Sequence, residues 1–426
     1  MTSRVSYPTF RKFSTDELME VADLFGISPE GLAAIRRVLE QEQTPPSARL
    51  FRYFNDQSKV ARLEQEFASH VGSRYALGVN SGTSALVAAL VAAGVGPGME
   101  VIVPAYSFIA SASSVVVAKA IPVVTEIDET LLLDPSAVER NLNERTKAII
   151  VVHMNGYPAR MDRLRAIADA NGLVLIEDVA QAAGGKYRGK FLGTWGHIGC
   201  FSFDAYKGLA TGEGGMITTD DEWLYTRAQS YHDTSGCWRP DRYARERRPG
   251  ELFCGENYRM SEVAGAIGLV QLRRLDAENA STRRVYQQLR REVRLPAGMR
   301  WIDALDMDGM CASRPAVLFD TRELAHKVLA AGIGFAGQAS QTPSARDWNL
   351  YSYWEHILDL NMPTADACPF TCPLATSVPA YSPTMCPTTS DLVMRTGFMT
   401  IEPTMTVEWT GQFAQDLNER LQAIVG

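Results

Sequence analysis

The sequence predicts an α/β protein: a mostly parallel sheet covered on both faces by helices, followed by a smaller α+β lobe. Two patterns carry that expectation. From Tyr75 onward, short apolar runs at 75–80, 100–103, 121–127, 148–154 and 173–176 alternate with helical stretches at 84–94, 107–120 and 161–171. Near-continuous apolar strands joined by crossover helices belong to parallel sheets buried on both faces. Further on, a long helix over 261–293, with Val263, Ile267, Val270 and Leu275 at helical spacing, leads out of that region. Beyond it a strand at 315–320 and a helix at 321–331, ended by Gly332, open a second lobe.

Taken in order, residues 1–56 form a helical preamble. Ser14-Thr15-Asp16-Glu17 has the spacing of a capping box and starts an apolar-periodic helix through Phe25. Ser28-Pro29-Glu30 opens a second helix, with Pro29 in the first turn, where a missing N–H costs nothing. Gln43-Thr44-Pro45-Pro46-Ser47 breaks it, and Leu50 to Phe54 is an aromatic connector. The next helix sets Val60, Leu63, Phe67 and Val71 on one face. The alternating region follows, and the helix over 161–171 ends in Asn171-Gly172, a C-cap pair. The expected organisation is an N-terminal extension (1–56), a large α/β domain (57–290) and a small C-terminal α+β domain (291–426), in which 361–390 is rich in proline and cysteine and irregular.

The chain has 426 residues, of which 46% are hydrophobic and 21% charged, an ordinary balance for a globular protein with a sizeable core. A net charge of −7 argues against nucleic acid or an anionic membrane as partner. The first residues lack the apolar segment of a signal peptide, and no run reaches the roughly 18 apolar residues of a spanning helix. A cytoplasmic protein is expected. Seven cysteines, an odd number, fit buried reduced thiols. Cys368, Cys372 and Cys386 are separated by proline and apolar residues with no histidine between them, so packed or loop thiols are expected rather than a metal site.

The chemistry is concentrated in a few polar residues at the ends of the expected strands. Asn80-Ser81-Gly82-Thr83-Ser84 joins a strand to a helix start, which offers free N–H groups to a phosphate, although for the segment taken alone simple capping by Ser or Thr is the plainer reading. Asp178 closes the apolar strand Leu173-Val174-Leu175-Ile176-Glu177-Asp178, either as a helix cap or as the acid that keeps a pyridine nitrogen protonated. Gln181 then stands within reach of the same ring. Lys207 lies five residues after Ser202 and ahead of Gly212-Glu213-Gly214-Gly215. A lysine amine, an aspartate and phosphate-binding hydroxyls are what a protein needs to hold pyridoxal 5'-phosphate as a Schiff base. Tyr106, in Pro104-Ala105-Tyr106-Ser107-Phe108, is placed to stack on a flat ring. Asn257 and Arg259 precede Ser261, a candidate helix cap.

Together these segments resemble the motifs of the DegT/StrS-type sugar aminotransferases, which are fold-type I, pyridoxal phosphate-dependent enzymes. Ser-Gly-Thr at 81–83, Pro-Ala-Tyr-Ser-Phe at 104–108, Glu-Asp-x-x-Gln at 177–181, Ser-Phe-x(3)-Lys at 202–207, Gly-Glu-Gly-Gly at 212–215 and Asn-Tyr-Arg-Met-Ser-Glu at 257–262 occur in register. The likeness is close over about 50–290. It implies an aspartate aminotransferase-like fold with a mostly parallel seven-stranded sheet in the large domain. It further implies that Lys207 forms the Schiff base, Asp178 pairs with the ring nitrogen, Gln181 meets the ring oxygen and Tyr106 stacks on the ring. Phosphate contacts are implied for Ser81, Gly82, Thr83, Ser84 and Ser202. Asn257 is implied to reach the site of a neighbouring subunit, hence a homodimer with shared sites.

One branch of that family carries out dehydration with histidine at the lysine position, and Lys207 sets this chain apart from it. Two features depart from the family: the helical extension at 14–42, and the stretch from Trp348 through Cys386. The latter is loosely similar to transaminases of keto-octulosonates or 3-keto hexose phosphates. Near it His232, Trp348 and His356 are candidate substrate contacts. The expected reaction moves an amino group from L-glutamate or L-glutamine to a keto sugar or cyclitol. The same cofactor also serves elimination, decarboxylation and aldol-type cleavage of amino acids, and a non-catalytic regulator that keeps the fold is a third reading.

Overall fold

The computed structural model describes residues 14–41, 57–234, 245–338, 347–363 and 365–425. The chain divides into two compact units, Met1–Ser58 and Lys59–Gly426. In the first, α1 (Thr15–Asp23) opens on the expected capping box: the Ser14 hydroxyl accepts the Asp16 N–H at 3.1 Å and the Glu17 carboxylate accepts the Ser14 N–H at 2.6 Å. The helix ends at Asp23, short of Phe25, and Gly26 with φ +68° turns the chain. Helix α2 (Pro29–Gln41) begins on Pro29, and an Arg36–Asp16 ion pair of 2.7 Å ties the two helices. The expected break at 43–47 and the aromatic connector at 50–54 lie outside the described residues.

In the second unit, α3 (Lys59–Val71) buries Val60, Leu63, Phe67 and Val71, the face its periodicity predicts. Strands β1 (Tyr75–Val79), β2 (Glu100–Pro104), β3 (Ile121–Thr125), β4 (Thr146–Val152) and β5 (Val174–Asp178) follow. Helices α4 (Gly82–Ala92), α5 (Ala110–Val117), α6 (Pro135–Asn141) and α7 (Met161–Ala170) connect them. A small hairpin, β6 (Lys186–Tyr187) and β7 (Lys190–Phe191), precedes β8 (Ile198–Ser202) and β9 (Gly215–Thr219). Seven strands form one sheet in the order β1-β9-β8-β5-β4-β2-β3. The pairs from β3 across to β8 are parallel, and β9 alone runs against its neighbours. Both faces are covered: every residue of β2, β8 and β9 is buried.

Helix α8 (Glu222–His232) packs on β1, and the 31-residue α9 (Glu262–Glu292) lies along α3. The contact is close because Gly265 has no side chain; a Cβ there would stand 2.7 Å from the Val60 nitrogen. Ser261 caps α9 by accepting the Ala264 N–H at 3.1 Å. The C-terminal part holds a three-stranded antiparallel sheet, β10 (Met299–Trp301), β11 (Ala316–Phe319) and β12 (Thr396–Phe398). With it go α10 (Arg322–Ala330), capped by Thr321, α12 (Pro387–Met394) and α13 (Val407–Val425), while the short α11 (Glu355–Leu358) follows a segment whose Tyr351 N–H donates to the Ala105 carbonyl just past β2. Among the described residues, 365–386 contain no helix or strand. No helix of the described residues is long and apolar enough to cross a membrane.

This topology puts the carboxyl ends of β1, β2, β4, β5 and β8 on one edge of the sheet. Ligands of open α/β sheets gather in the crevice beyond such an edge.

Candidate active site

Each of those strand ends delivers one part of a polar crevice. Beyond β1, the chain enters α4 at Ser81, whose hydroxyl accepts the Ser84 N–H at 3.0 Å, while the Ser84 hydroxyl donates to Asn80 Oδ1 at 2.6 Å. Those two side chains are occupied in starting the helix. Thr83 is exposed, and the first turn of an 11-residue helix presents its N–H groups there. Gly82 lets this turn lie against the end of β8, since a Cβ would meet the Ser202 Cβ at 2.7 Å. Ser81, Gly82, Thr83 and Ser202 thus line one wall of a cavity of about 350 Å³.

Asp178, the last residue of β5, forms the floor of the same cavity. Its carboxylate accepts the Ser111 hydroxyl at 2.9 Å and the Ala180 N–H at 3.1 Å. Ser111 in turn lies 2.6 Å from the Ser107 hydroxyl. Burial raises the Asp178 pKa; the two hydrogen bonds and the fields of Lys207 and His153 oppose that rise. His153, after β4, is itself buried. Its Nδ1 accepts the Ala159 N–H at 3.1 Å, so the proton on Nε2 faces Glu177 at 3.1 Å. Glu177 also accepts the N–H groups of Gly193 and Gly196, and this satisfied pair anchors β5 beneath the crevice.

Lys207 stands in a loop after β8 and lines this cavity. A second cavity of about 640 Å³, toward the C-terminal sheet, shares Gln181, Tyr206 and Lys207 with the first. The outer chamber is also lined by Asn155, Asn279, Arg314 and Glu402. Gln181 Oε1 accepts the Asn155 N–H at 2.8 Å, which leaves its amide hydrogens to face the cavity. Lys207 therefore joins an inner chamber built by strand ends to an outer one.

Ser81, Gly82, Thr83, Asp178, Gln181, Ser202 and Lys207 are thus brought together. Ser84 is buried beside them, with its hydroxyl turned to Asn80. Tyr106 does not reach the cavity: it is 3% exposed, accepts Asn155 Nδ2 at 3.3 Å and lies over the Phe398 ring. Two residues on, Phe108 lines the cavity and is 49% exposed: past the end of β2 at Pro104 the chain bends at 105 and 107, so side chains two apart no longer share a face. Asn257 is exposed, with Oδ1 accepting the Arg259 N–H at 3.4 Å, and lines neither cavity. His232 is buried in contact with the Gln229 carbonyl, and Trp348 and His356 pack on each other and line neither chamber. Ser111, Phe108, Asn155 and Arg314 carried no sequence signal of their own. Only the position of Phe108 inside the 104–108 motif pointed to it.

Comparison with known proteins agrees with this architecture. An L-glutamine:2-deoxy-scyllo-inosose aminotransferase from Streptoalloteichus tenebrarius is 40% identical over 259 residues, covering 59% of this chain and 60% of that protein. Its counterpart from Streptomyces kanamyceticus is 35% identical over 341 residues, covering 78% of this chain and 71% of that protein. A GDP-perosamine synthase from Caulobacter vibrioides is 41% identical over 53% of this chain and 59% of its own. The matched region thus spans about three fifths of the length of the first and third of these relatives. Among solved structures, 3-amino-5-hydroxybenzoic acid synthase superposes with a TM-score of 0.70 at 27% identity, covering 86% of this chain and 91% of that one. DesV of S. venezuelae, in complex with a ketimine intermediate, superposes at 0.69 and 27% identity, over 95% and 97%. The model of the DegT/DnrJ/EryC1/StrS aminotransferase family matches residues 51–327, and the chain belongs to that family.

Proposed function

We propose that the chain is a pyridoxal 5'-phosphate-dependent aminotransferase that moves the amino group of L-glutamate or L-glutamine to the ketone of a sugar or cyclitol. The observation that carries the proposal is the convergence of Lys207, Asp178, Ser202 and the α4 N-terminus on one cavity at the strand ends. The residues suit the cofactor. The first turn of α4, Thr83 and Ser202 offer donors to a phosphate. Phe108 offers a flat face to the ring, and Gln181 offers amide hydrogens to its phenolic oxygen. Asp178 is a buried carboxylate suited to an N–H of the ring. When bound, the cofactor supplies an electron sink next to the carbon that loses or gains a proton.

The chain's own groups do the rest. Asp178 holds the proton on the ring nitrogen, and an opposite charge there favours its own ionised form. Lys207, which lines both chambers, would carry the proton to and from the reacting substrate carbon when the cofactor is bound. The outer chamber receives the acceptor, which we place among ring ketones: nucleotide-linked, phosphorylated or octulosonate sugars, or cyclitols. The names of two relatives support glutamine as donor and a cyclic polyol as acceptor. We further place the enzyme in the cytoplasm as a homodimer, with Asn257 completing the partner's site, large and small domains meeting near residue 290, and residues 1–56 as an added extension.

Purified protein is expected to be yellow, and borohydride to attach the cofactor to Lys207; Lys207→Ala should take no covalent label on borohydride treatment and lose at least about 10³-fold in rate. With wild type, glutamate or glutamine should release the 2-oxo acid, and a screen of acceptors should rank keto sugars above free 2-oxo acids. A preparation that ignores added cofactor, or the reverse ranking, refutes the assignment.

A further inference from the structure

The turn after β4 holds a residue that neither the motifs nor the chemistry above require. Asn155 sits in a left-handed conformation, φ 58° and ψ 19°, which asparagine tolerates better than most side chains. It is fixed from two sides. Its backbone N–H donates to Gln181 Oε1 at 2.8 Å, and its Nδ2 donates to the Tyr106 hydroxyl at 3.3 Å. Its Oδ1 has no hydrogen-bond partner although the residue is only 2% exposed. Buried acceptors without a partner are rare, and one beside a ligand chamber marks a place where a ligand hydrogen is missing. Asn155 lines the outer chamber together with Lys207 and Gln181.

The chemistry of the missing partner is constrained. An amide oxygen only accepts, so the partner brings an O–H or N–H. The donor's carboxylates bring none and its α-amino group is engaged at Lys207; the side-chain amide of glutamine is the one donor-borne alternative, and the donor reaction below tests it, while the phenolic oxygen of the cofactor is itself matched by the free hydrogens of Gln181. A keto sugar or cyclitol carries a hydroxyl on at least one carbon flanking the ketone, and the ketone must approach Lys207 to be aminated. We infer that Asn155 is a specificity-determining residue whose Oδ1 accepts the hydroxyl on the carbon next to the acceptor's ketone. The inference rests on the proposed aminotransferase reading and adds the acceptor feature that is recognised.

The test pairs the best acceptor of the screen with its analogue lacking the hydroxyls on both carbons that flank the ketone, since an analogue deoxygenated on one side alone still offers the other. Wild type should prefer the hydroxylated member by about 10- to 100-fold in kcat/KM, as a site built to bind a hydroxyl does. Asn155→Gly keeps the left-handed turn and the N–H that holds Gln181. It should abolish the preference by slowing the hydroxylated acceptor alone, with the deoxy analogue within about threefold of wild type. Asn155→Asp, which keeps an acceptor oxygen, should restore the preference. Cofactor absorbance and 2-oxo acid release from the donor should stay within about twofold in both variants. An unchanged preference in Asn155→Gly, or a donor reaction that falls in step with the acceptor reaction, overturns the inference while leaving the aminotransferase reading intact. No 2-oxo acid release by the wild type overturns both.

Discussion

At the scale of single residues, Asp178 shows a conflict between stability and function. Its folded-state pKa is raised by burial above the ordinary 3.8, so the cost of its buried charge is absent below 3.8 and fully present once pH has risen through the folded value. In the cofactor-free protein, Asp178→Asn removes that charge, and the Ser107–Ser111 hydroxyl pair is free to reverse so that Ser111 accepts from the new amide. The variant should therefore melt higher than wild type at pH 8, by about 1 kcal/mol, and no higher at pH 3.5, while losing at least about 10²-fold in rate. A thermal melt of cofactor-free protein at both pH values checks the sign. Gly82 offers a second case. Gly82→Ala drives a Cβ into the Ser202 Cβ, so cofactor affinity measured by equilibrium dialysis should fall by about tenfold or more and the cofactor-free protein should also lose about 1–3 kcal/mol of stability. At this scale, the sequence disclosed the residues whose type is dictated by the cofactor: the lysine, the aspartate and the small residues of the helix start. Tyr106 against Phe108 was beyond it, because a run of Tyr-Ser-Phe gives no sign of which ring turns inward until the turn after β2 is seen. Asn155 was beyond it too, since a left-handed asparagine after a strand has no periodic signature.

Among the elements, strands buried on both faces and amphipathic helices were legible because burial writes a period into the sequence. The face of α3 is the clear instance: Val60, Leu63, Phe67 and Val71 recur at helical spacing and are all buried. Strand β9 was not legible. Its sequence Gly-Met-Ile-Thr-Thr mixes small, apolar and polar residues, and its burial comes from lying between β8 and β1 rather than from its own composition. Helix α8 is hidden for a related reason, because its buried face includes Thr226, Gln229, Ser230 and His232. The link between α3 and the site runs through aromatic packing. The Phe67 ring meets Phe201 edge-on at 4.9 Å, on the strand that ends at Ser202, and Phe203 at 5.8 Å, just past that end. Phe67→Ala should cost about 3–5 kcal/mol of stability, read by denaturant unfolding, and should weaken cofactor retention through the displaced end of β8.

For the whole molecule, the proposed sharing of sites is testable without a structure of the assembly. Lys207→Ala and Asn257→Ala should each be nearly inactive alone, the second because its partner's site is incomplete. If subunits exchange and sites are shared, an equimolar mixture should regain about a quarter of wild-type activity, since half the dimers are mixed and each holds one intact site. No recovery, with mixed dimers shown by mass spectrometry, would place Asn257 outside the neighbouring site. Exposed Val117, Val263 and Val270 are apolar positions that such an interface would cover. The C-terminal part was the least legible in the sequence. Its 3-stranded sheet and α12 are assembled from residues far apart in the chain, and Pro-rich, Cys-rich composition conceals contacts such as Tyr381 donating to the Pro122 carbonyl at 2.7 Å.

The one-sided delivery of polar groups has a further implication for engineering. Every catalytic contact hangs from the strands' finishing ends, so the opposite rim, where Gly172 turns at φ +63° with no atom within 4 Å of an added Cβ, is mechanically remote from the chemistry. A peptide tag or reporter domain spliced after Gly172 should leave turnover nearly intact, whereas the same graft beside Gly208 should extinguish it.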